Sequence, residues 1–96
     1  MAGYVLRPKA REDLERIGDY TLERWGDRQE EIYLGMLNQA LLSLVDEPEL
    51  GRPADAIAPG LRKLRTGRHL VFYLISETNI DVIRILHQSM DYEQHL

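Results

Sequence analysis

The spacing of apolar residues changes once along this chain, and that change limits the folds it can adopt. As far as Glu47 the apolar residues recur every three to four positions, which is typical of amphipathic helices. The pattern predicts one helix over residues 9–25 and a second that begins with Asp27 as its N-cap and ends near Glu47. Because Gly26 alone separates them, we expect an antiparallel helical hairpin.

The pattern also predicts where two side chains of the hairpin lie. Asp13 falls among the charged positions between the apolar ones, so it is expected on the solvent face near the start of the first helix. Trp25 continues the apolar stripe to the end of that helix and is expected to pack the helical joint against the sheet. Both are therefore interpreted as structural residues.

Beyond residue 60 the apolar period falls to two residues, which is the period of β-strands. The strand over residues 69–75 is apolar on both faces, and the hairpin can cover only one of them. The second face is therefore expected to stay open for a partner. Residues 47–60, which are rich in proline and glycine, are predicted to form an irregular loop. The predicted strands are residues 4–7, 61–66, 69–75 and 80–86.

Length and composition narrow the class of protein further. The 96 residues allow a single domain, residues 1–96, of α+β class, with a helical hairpin packed on a small, mainly antiparallel sheet. The absence of cysteine excludes disulfides and thiolate metal sites, and we expect no metal and no cofactor. No signal peptide and no membrane-spanning apolar run are visible, so a cytoplasmic protein without membrane contact is expected.

The formal net charge of −4 conceals an uneven distribution of charge. Residues 1–50 carry six basic and eleven acidic side chains, whereas no acidic side chain occurs between Asp55 and Glu77. These bases are either a solvated sheet face or a patch for phosphate or an acidic protein. The acidic total weighs against direct binding of nucleic acid by the chain alone. The acid-free stretch contains Arg62, Lys63, Arg65 and Arg68.

Residues with the chemistry of a catalytic centre are few. His87 and His95 stand eight positions apart, without carboxylates at a metal-binding spacing, and are interpreted as surface or packing residues. The sequence contains no phosphate-binding glycine loop and no nucleophile motif. On the residues alone, a protein-binding module is favoured over a free-standing enzyme.

An ordered set of motifs along nearly the whole chain resembles the ParE branch of the RelE/ParE toxin superfamily, the toxin half of bacterial toxin–antitoxin pairs. The most specific parts are Trp-Gly at the helical joint and Arg-Ile-Leu-His on the final strand. The motifs are Tyr4-x-Leu6, Ala10-x-x-Asp13-Leu14-x-x-Ile17-x-x-Tyr20-Thr21, Trp25-Gly26-x-x-Gln29 with Tyr33, Pro48-x-x-Gly51-Arg52, Gly60-Leu61-Arg62, His69-Leu70-Val71-Phe72-Tyr73, Ile83-Arg84-Ile85-Leu86-His87-x-x-Met90-Asp91 and His95-Leu96.

The resemblance implies a β-α-α-β-β-β fold, a toxin that inhibits DNA gyrase by binding, and a ParD-like antitoxin whose acidic C-terminal segment wraps it. It implies no catalytic residue. The residues expected to bind gyrase are Arg84, His87, Met90, Asp91, His95 and Leu96. The residues expected to bind the antitoxin are Arg62, Arg65, Arg68, Leu70, Phe72 and Leu74.

Two alternatives stay open at this point. The RelE branch of the superfamily consists of ribosome-dependent mRNA endonucleases, and this chain retains Arg65, Arg84 and His87, which suit such chemistry. Against it, the chain has only Lys9 and Lys63 as lysines and a net acidic charge. The third reading is a non-toxic remnant that only binds its antitoxin and regulates its own operon.

Overall fold

The computed structural model describes residues 2–96 and places two helices against one face of a five-stranded sheet. Short 3₁₀ turns at Pro48–Leu50 and Tyr92–Gln94 follow the second helix and the last strand. The elements are β1 (Gly3–Leu6), α1 (Pro8–Trp25), α2 (Asp27–Asp46), β2 (Arg52–Pro53), β3 (Arg62–Thr66), β4 (His69–Ile75) and β5 (Asn79–His87).

The order of strands in the sheet is β1-β5-β4-β3-β2. β1 runs parallel to β5, and every other neighbouring pair is antiparallel. The predicted α+β class, with a helical hairpin on a mainly antiparallel sheet, is confirmed. The two-residue strand β2 is an addition to the predicted elements, because a pairing so short leaves no periodic pattern in the sequence.

The joint between the helices is a single residue, as predicted. Gly26 has φ +91°, a conformation in which a Cβ would be strained, and its N–H donates to the carbonyl of Leu22 to close α1. Asp27 is the first residue of α2 and caps nothing with its side chain, so its expected role as N-cap is wrong. The antiparallel hairpin follows from the glycine alone.

The main core lies between the hairpin and the sheet. The helices contribute Ala10, Ile17, Leu37, Leu41 and Leu44, and the strands contribute Val71, Tyr73, Ile80, Val82 and Ile85. The fully buried Tyr73 also holds the loop after α2, because its hydroxyl donates to Pro48 O (2.7 Å) and accepts from Gly51 N–H (2.9 Å).

The opposite face of the sheet has a core of its own, so the expectation that it stays open is wrong. Phe72 is 0% exposed at the centre of this second core. The chain covers it with the loop over residues 54–61 and with Tyr92. A strand apolar on both faces is here covered on both by the same chain. The other buried residues of this second core are Ala54, Leu61 and Leu86, and Ile57, Ala58, Leu70, Leu74 and Ile83 pack against them.

Candidate functional site

Asp13 lies on the buried face of α1 and is 4% exposed, so its predicted place on the solvent face is wrong. Its two carboxylate oxygens accept from Arg84 Nε (2.7 Å) and Nη2 (2.8 Å). Oδ2 also accepts the backbone N–H of Ile85 at 3.0 Å. β1 pairs with β5 only as far as Val82, and Asp13 supplies the acceptor beyond that point.

Arg84 connects three parts of the chain through one guanidinium group. Two of its nitrogens bind Asp13 on α1, and Nη1 donates to the carbonyl of His95 at 3.0 Å. The hydrogen bonds that Arg84 donates to Asp13 raise the pKa of Arg84 above its ordinary value, against the opposing effect of burial. The group therefore remains a cation whose donors are used within the chain.

The residues after β5, which we name the C-terminal segment (88–96), lie folded on the second core. Gln88 N–H donates to Arg68 O (2.8 Å), and the Tyr92 ring tilts over Phe72 with the ring centroids 5.3 Å apart. The segment is therefore a turn bound to the rest of the chain. Its exposed side chains include Met90, Asp91, Glu93 and Leu96.

A groove of about 700 Å³, which we name the α1 groove, opens on the hairpin side of the sheet. One wall is a continuous face of α1 from Asp13 to Trp25, with helical spacing throughout. Trp25 is 64% exposed and Tyr20 is 60% exposed along it, so the predicted packing of Trp25 against the sheet is wrong. The opposite wall includes Tyr33, Arg68, His69, His87 and Met90.

The α1 groove is basic although the whole chain is acidic. Arg16, Arg24 and Arg68 line it, and Asp13 is its acidic side chain. The Asp13 carboxylate is already bound to Arg84, and Arg16 lies 4.0 Å from it. Arg24 lies with its guanidinium carbon 5.9 Å from the centroid of the neighbouring Trp25 ring, within cation–π range. Exposed aromatic surface and free positive charge therefore occur together in the groove.

The wall opposite α1 contains three polar aromatic side chains in contact with one another. Tyr33 Oη lies 2.6 Å from His69 Nδ1, within hydrogen-bond distance, and accepts the N–H of Arg68 at 3.1 Å. The rings of His69 and His87 meet edge to face, 5.3 Å apart. Burial, and then the proximity of His87, lowers the pKa of His69 to about 4. Neutral His69 thereby holds the β3–β4 turn to α2.

The residues predicted to bind the target do not form one cluster. His87 and Met90 line the α1 groove, whereas the side chains of Asp91, His95 and Leu96 are exposed on the C-terminal segment. Arg84 is withdrawn from solvent, with 11% of its side chain exposed. The residues predicted to bind the target therefore fall into three groups: two in the α1 groove, three on the C-terminal segment, and Arg84, which is bound within the fold.

The residues predicted to bind the antitoxin are divided as well. Arg62 pairs with Tyr73 in the sheet, which places it on the hairpin side, and it donates to the carbonyls of Glu49 and Gly51. Phe72 is enclosed in the second core and offers no surface to a partner in this conformation. Accessible surface remains at Arg65, Arg68, Leu70 and Leu74, of which Arg68 lies in the α1 groove.

The sequence analysis did not predict the burial of Asp13 or the exposure of Tyr20 and Trp25 along the α1 groove. Asp13 stands three residues after Ala10 and four before Ile17, so it lies on the apolar stripe of α1. A carboxylate on such a stripe is a signal for a buried partner. The exposure of Tyr20 and Trp25 has no comparable signal, because the pattern does not reveal where the helix extends past the sheet.

Within residues 2–96 no three histidine or acidic side chains come together in a way that could hold a metal ion. None of the helices described there is long and apolar enough to cross a membrane.

Comparison with known proteins identifies the class. The fold is shared with the chromosomal ParDE toxin–antitoxin system from P. aeruginosa (TM-score 0.77, 19% identity, 91% of this chain and 96% of that chain). It is shared also with the toxin–antitoxin complex RelBE2 from Mycobacterium tuberculosis (TM-score 0.68, 20% identity, 90% of this chain and 96% of that chain). The hairpin on a mostly antiparallel sheet is therefore a fold found in both of these toxin–antitoxin structures.

Sequence comparison identifies the family. A family model described as the ParE toxin of type II toxin-antitoxin system, parDE, matches residues 4–92. Toxin ParE1 of Mycobacterium tuberculosis is 46% identical over 94 residues, which cover 97% of this chain and 96% of that relative. The chain belongs to the ParE toxin family, the toxins of type II toxin–antitoxin systems, and the resemblance stated from its motifs is confirmed.

Acidification should destabilise the fold through His69. Its pKa is about 4 in the folded chain against 6.5 for the free side chain, so the unfolded chain takes up this proton at a higher pH. The free energy of unfolding should therefore decrease as the pH falls from about 6.5 towards 4. His69→Gln should lack that part of the decrease, and denaturant titrations across this pH range measure it. The exposed His95 provides the control His95→Gln, and parallel pH profiles for wild type and His69→Gln would contradict the assignment.

Proposed function

We propose that this toxin inhibits DNA gyrase by binding it, without cleaving a substrate, and that a ParD-like antitoxin neutralises it. Membership of the ParE family supports this proposal. The observation that carries the choice between binding and RNA cleavage is the placement of three side chains that an endonuclease would need together: Arg65, Arg84 and His87.

The sheet places Arg65 and His87 on opposite faces, and Arg84 is bound by other parts of the chain. Arg65 pairs with Leu70, whose side chain packs on the second core, so Arg65 lies on that face. His87 pairs with His69 and faces the α1 groove on the hairpin side. Arg84 is occupied by Asp13 and by the His95 carbonyl, so it is not free to stabilise phosphate charge. Because Arg65 and His87 lie on opposite faces and the donors of Arg84 are occupied, the arrangement supports a toxin that acts by binding.

The α1 groove is the surface best suited to an antitoxin. Its exposed Tyr20 and Trp25 provide apolar area, and its free arginines favour acidic side chains. A disordered acidic segment that folds as an amphipathic helix would bury both kinds of surface. Of the residues first expected to bind the antitoxin, Arg68 belongs to this groove, whereas Phe72 is enclosed by the chain itself.

The purified toxin should inhibit DNA supercoiling by gyrase and should leave ribosome-bound mRNA intact. The reason is that the chain offers protein-binding surfaces and separates its candidate catalytic side chains. Supercoiling assays and a translation extract with labelled mRNA, each with and without added antitoxin, measure both activities. Cuts positioned at codons would assign the chain to the endonuclease branch, and absence of both activities together with unimpaired growth would indicate a non-toxic remnant.

Substitution of Trp25 by alanine should weaken binding of the antitoxin's acidic tail by at least tenfold, because aromatic anchors in a groove typically contribute about 2 kcal/mol or more. Titration calorimetry with a peptide of the antitoxin tail measures the affinity. Leu42→Ala is the matched control, since Leu42 is an exposed apolar residue of α2 outside the α1 groove. Unchanged affinity in Trp25→Ala, with weakened affinity in Leu74→Ala, would move the antitoxin to the second face.

A further inference from the structure

The C-terminal segment is held at three separated points. Its first residue, Gln88, is tied through its N–H to the Arg68 carbonyl in the β3–β4 turn. Near its other end the carbonyl of His95 accepts from Arg84 Nη1. Between them, Tyr92 covers Phe72 and closes the second core. A segment with tethers at its start, middle and end has one preferred conformation.

The middle tether is reinforced by a charge. Lys63 Nζ lies 5.4 Å from the centroid of the Tyr92 ring, on the strand next to Phe72, so the ring contacts an apolar neighbour and a cation. Lys63 is thereby turned towards the ring of the segment. The exposed side chains Asp91, Glu93 and Leu96 give the segment an acidic and apolar outer surface.

Arg84 sits beneath the segment and not on its outer surface. Because 11% of its side chain is exposed and its donors bind Asp13 and His95, a partner protein would reach the segment before it reached this guanidinium. Arg84 was expected to contact the target directly. From beneath the C-terminal segment, it would affect target binding by fixing the position of that segment.

We propose that Arg84 is a positioning residue for target binding, which holds the C-terminal segment as a preformed docking surface for a basic and apolar patch of the target protein. The inference deepens the proposed inhibition of gyrase and rests on it. A segment already fixed in its bound shape loses less conformational freedom on association, so the tether increases affinity for the target. The Asp13 carboxylate makes this possible, because its two hydrogen bonds fix the orientation of the guanidinium.

The test compares the full-length variants Arg84→Lys and Tyr92→Ala, which weaken different tethers. Lysine retains a charge for Asp13 but replaces the three-nitrogen fork that also serves the His95 carbonyl. Tyr92→Ala removes the middle tether and leaves Asp13 and Arg84 in place. Both variants should show amide exchange at residues 94–96 faster by on the order of tenfold, and inhibition of gyrase weaker by a similar factor.

A matched control is available in Arg28→Lys, since Arg28 is an exposed arginine at the start of α2 outside both surfaces. It should behave as wild type in both assays. Affinity for the antitoxin should stay within about twofold of wild type in Arg84→Lys and Tyr92→Ala, which distinguishes positioning of the segment from a general loss of structure.

The outcomes separate this inference from the proposed function. Wild-type inhibition of gyrase by both tether variants would overturn the inference alone, as would a parallel loss of antitoxin affinity and gyrase inhibition. A wild-type toxin that does not inhibit gyrase would overturn the proposed function, and this inference with it. Loss of inhibition with retained antitoxin binding is the result expected.

Discussion

The structure depends on one buried carboxylate. Asp13 accepts from two nitrogens of Arg84 and from the N–H of Ile85, and together these contacts tie α1 to the part of β5 that β1 does not reach. Burying a charge is costly unless it is paired and hydrogen-bonded, and here both carboxylate oxygens are used. The start of α1, the free end of β5 and, through His95, the C-terminal segment are all placed relative to this group.

The same interaction divides the functional surfaces. It removes Arg84 from solvent, so the guanidinium group of the final strand donates its hydrogen bonds within the chain. Arg16, Arg24 and Arg68 lie around the α1 groove, next to exposed aromatic residues, on a chain whose net charge is −4. Positive charge and apolar surface in one groove suit an acidic protein segment better than a nucleic acid, which the rest of the acidic chain would repel.

Much of the fold was predictable from local patterns. Apolar periods of 3.6 and 2 located the helices and the principal strands, and Gly26 between two helical stripes required a hairpin. The second core was not predictable, because a two-sided strand shows that Phe72 is covered without showing that the loop over residues 54–61 covers it. The candidate site was largely missed. Asp13 and Arg84 are 71 residues apart, and no local pattern pairs them, while the exposure of Trp25 depends on which part of α1 the rest of the chain covers.

The most direct test of the account is a double-mutant cycle of Asp13→Ala and Arg84→Ala, measured as free energies of unfolding by denaturant titration. Each single substitution leaves a buried charge without its partner and should cost about 3–5 kcal/mol. The double variant should cost little more than either single one, with a coupling energy of about 2 kcal/mol or more between the two positions. Additive effects, within about 0.5 kcal/mol, would contradict the claim that the fold depends on this pair.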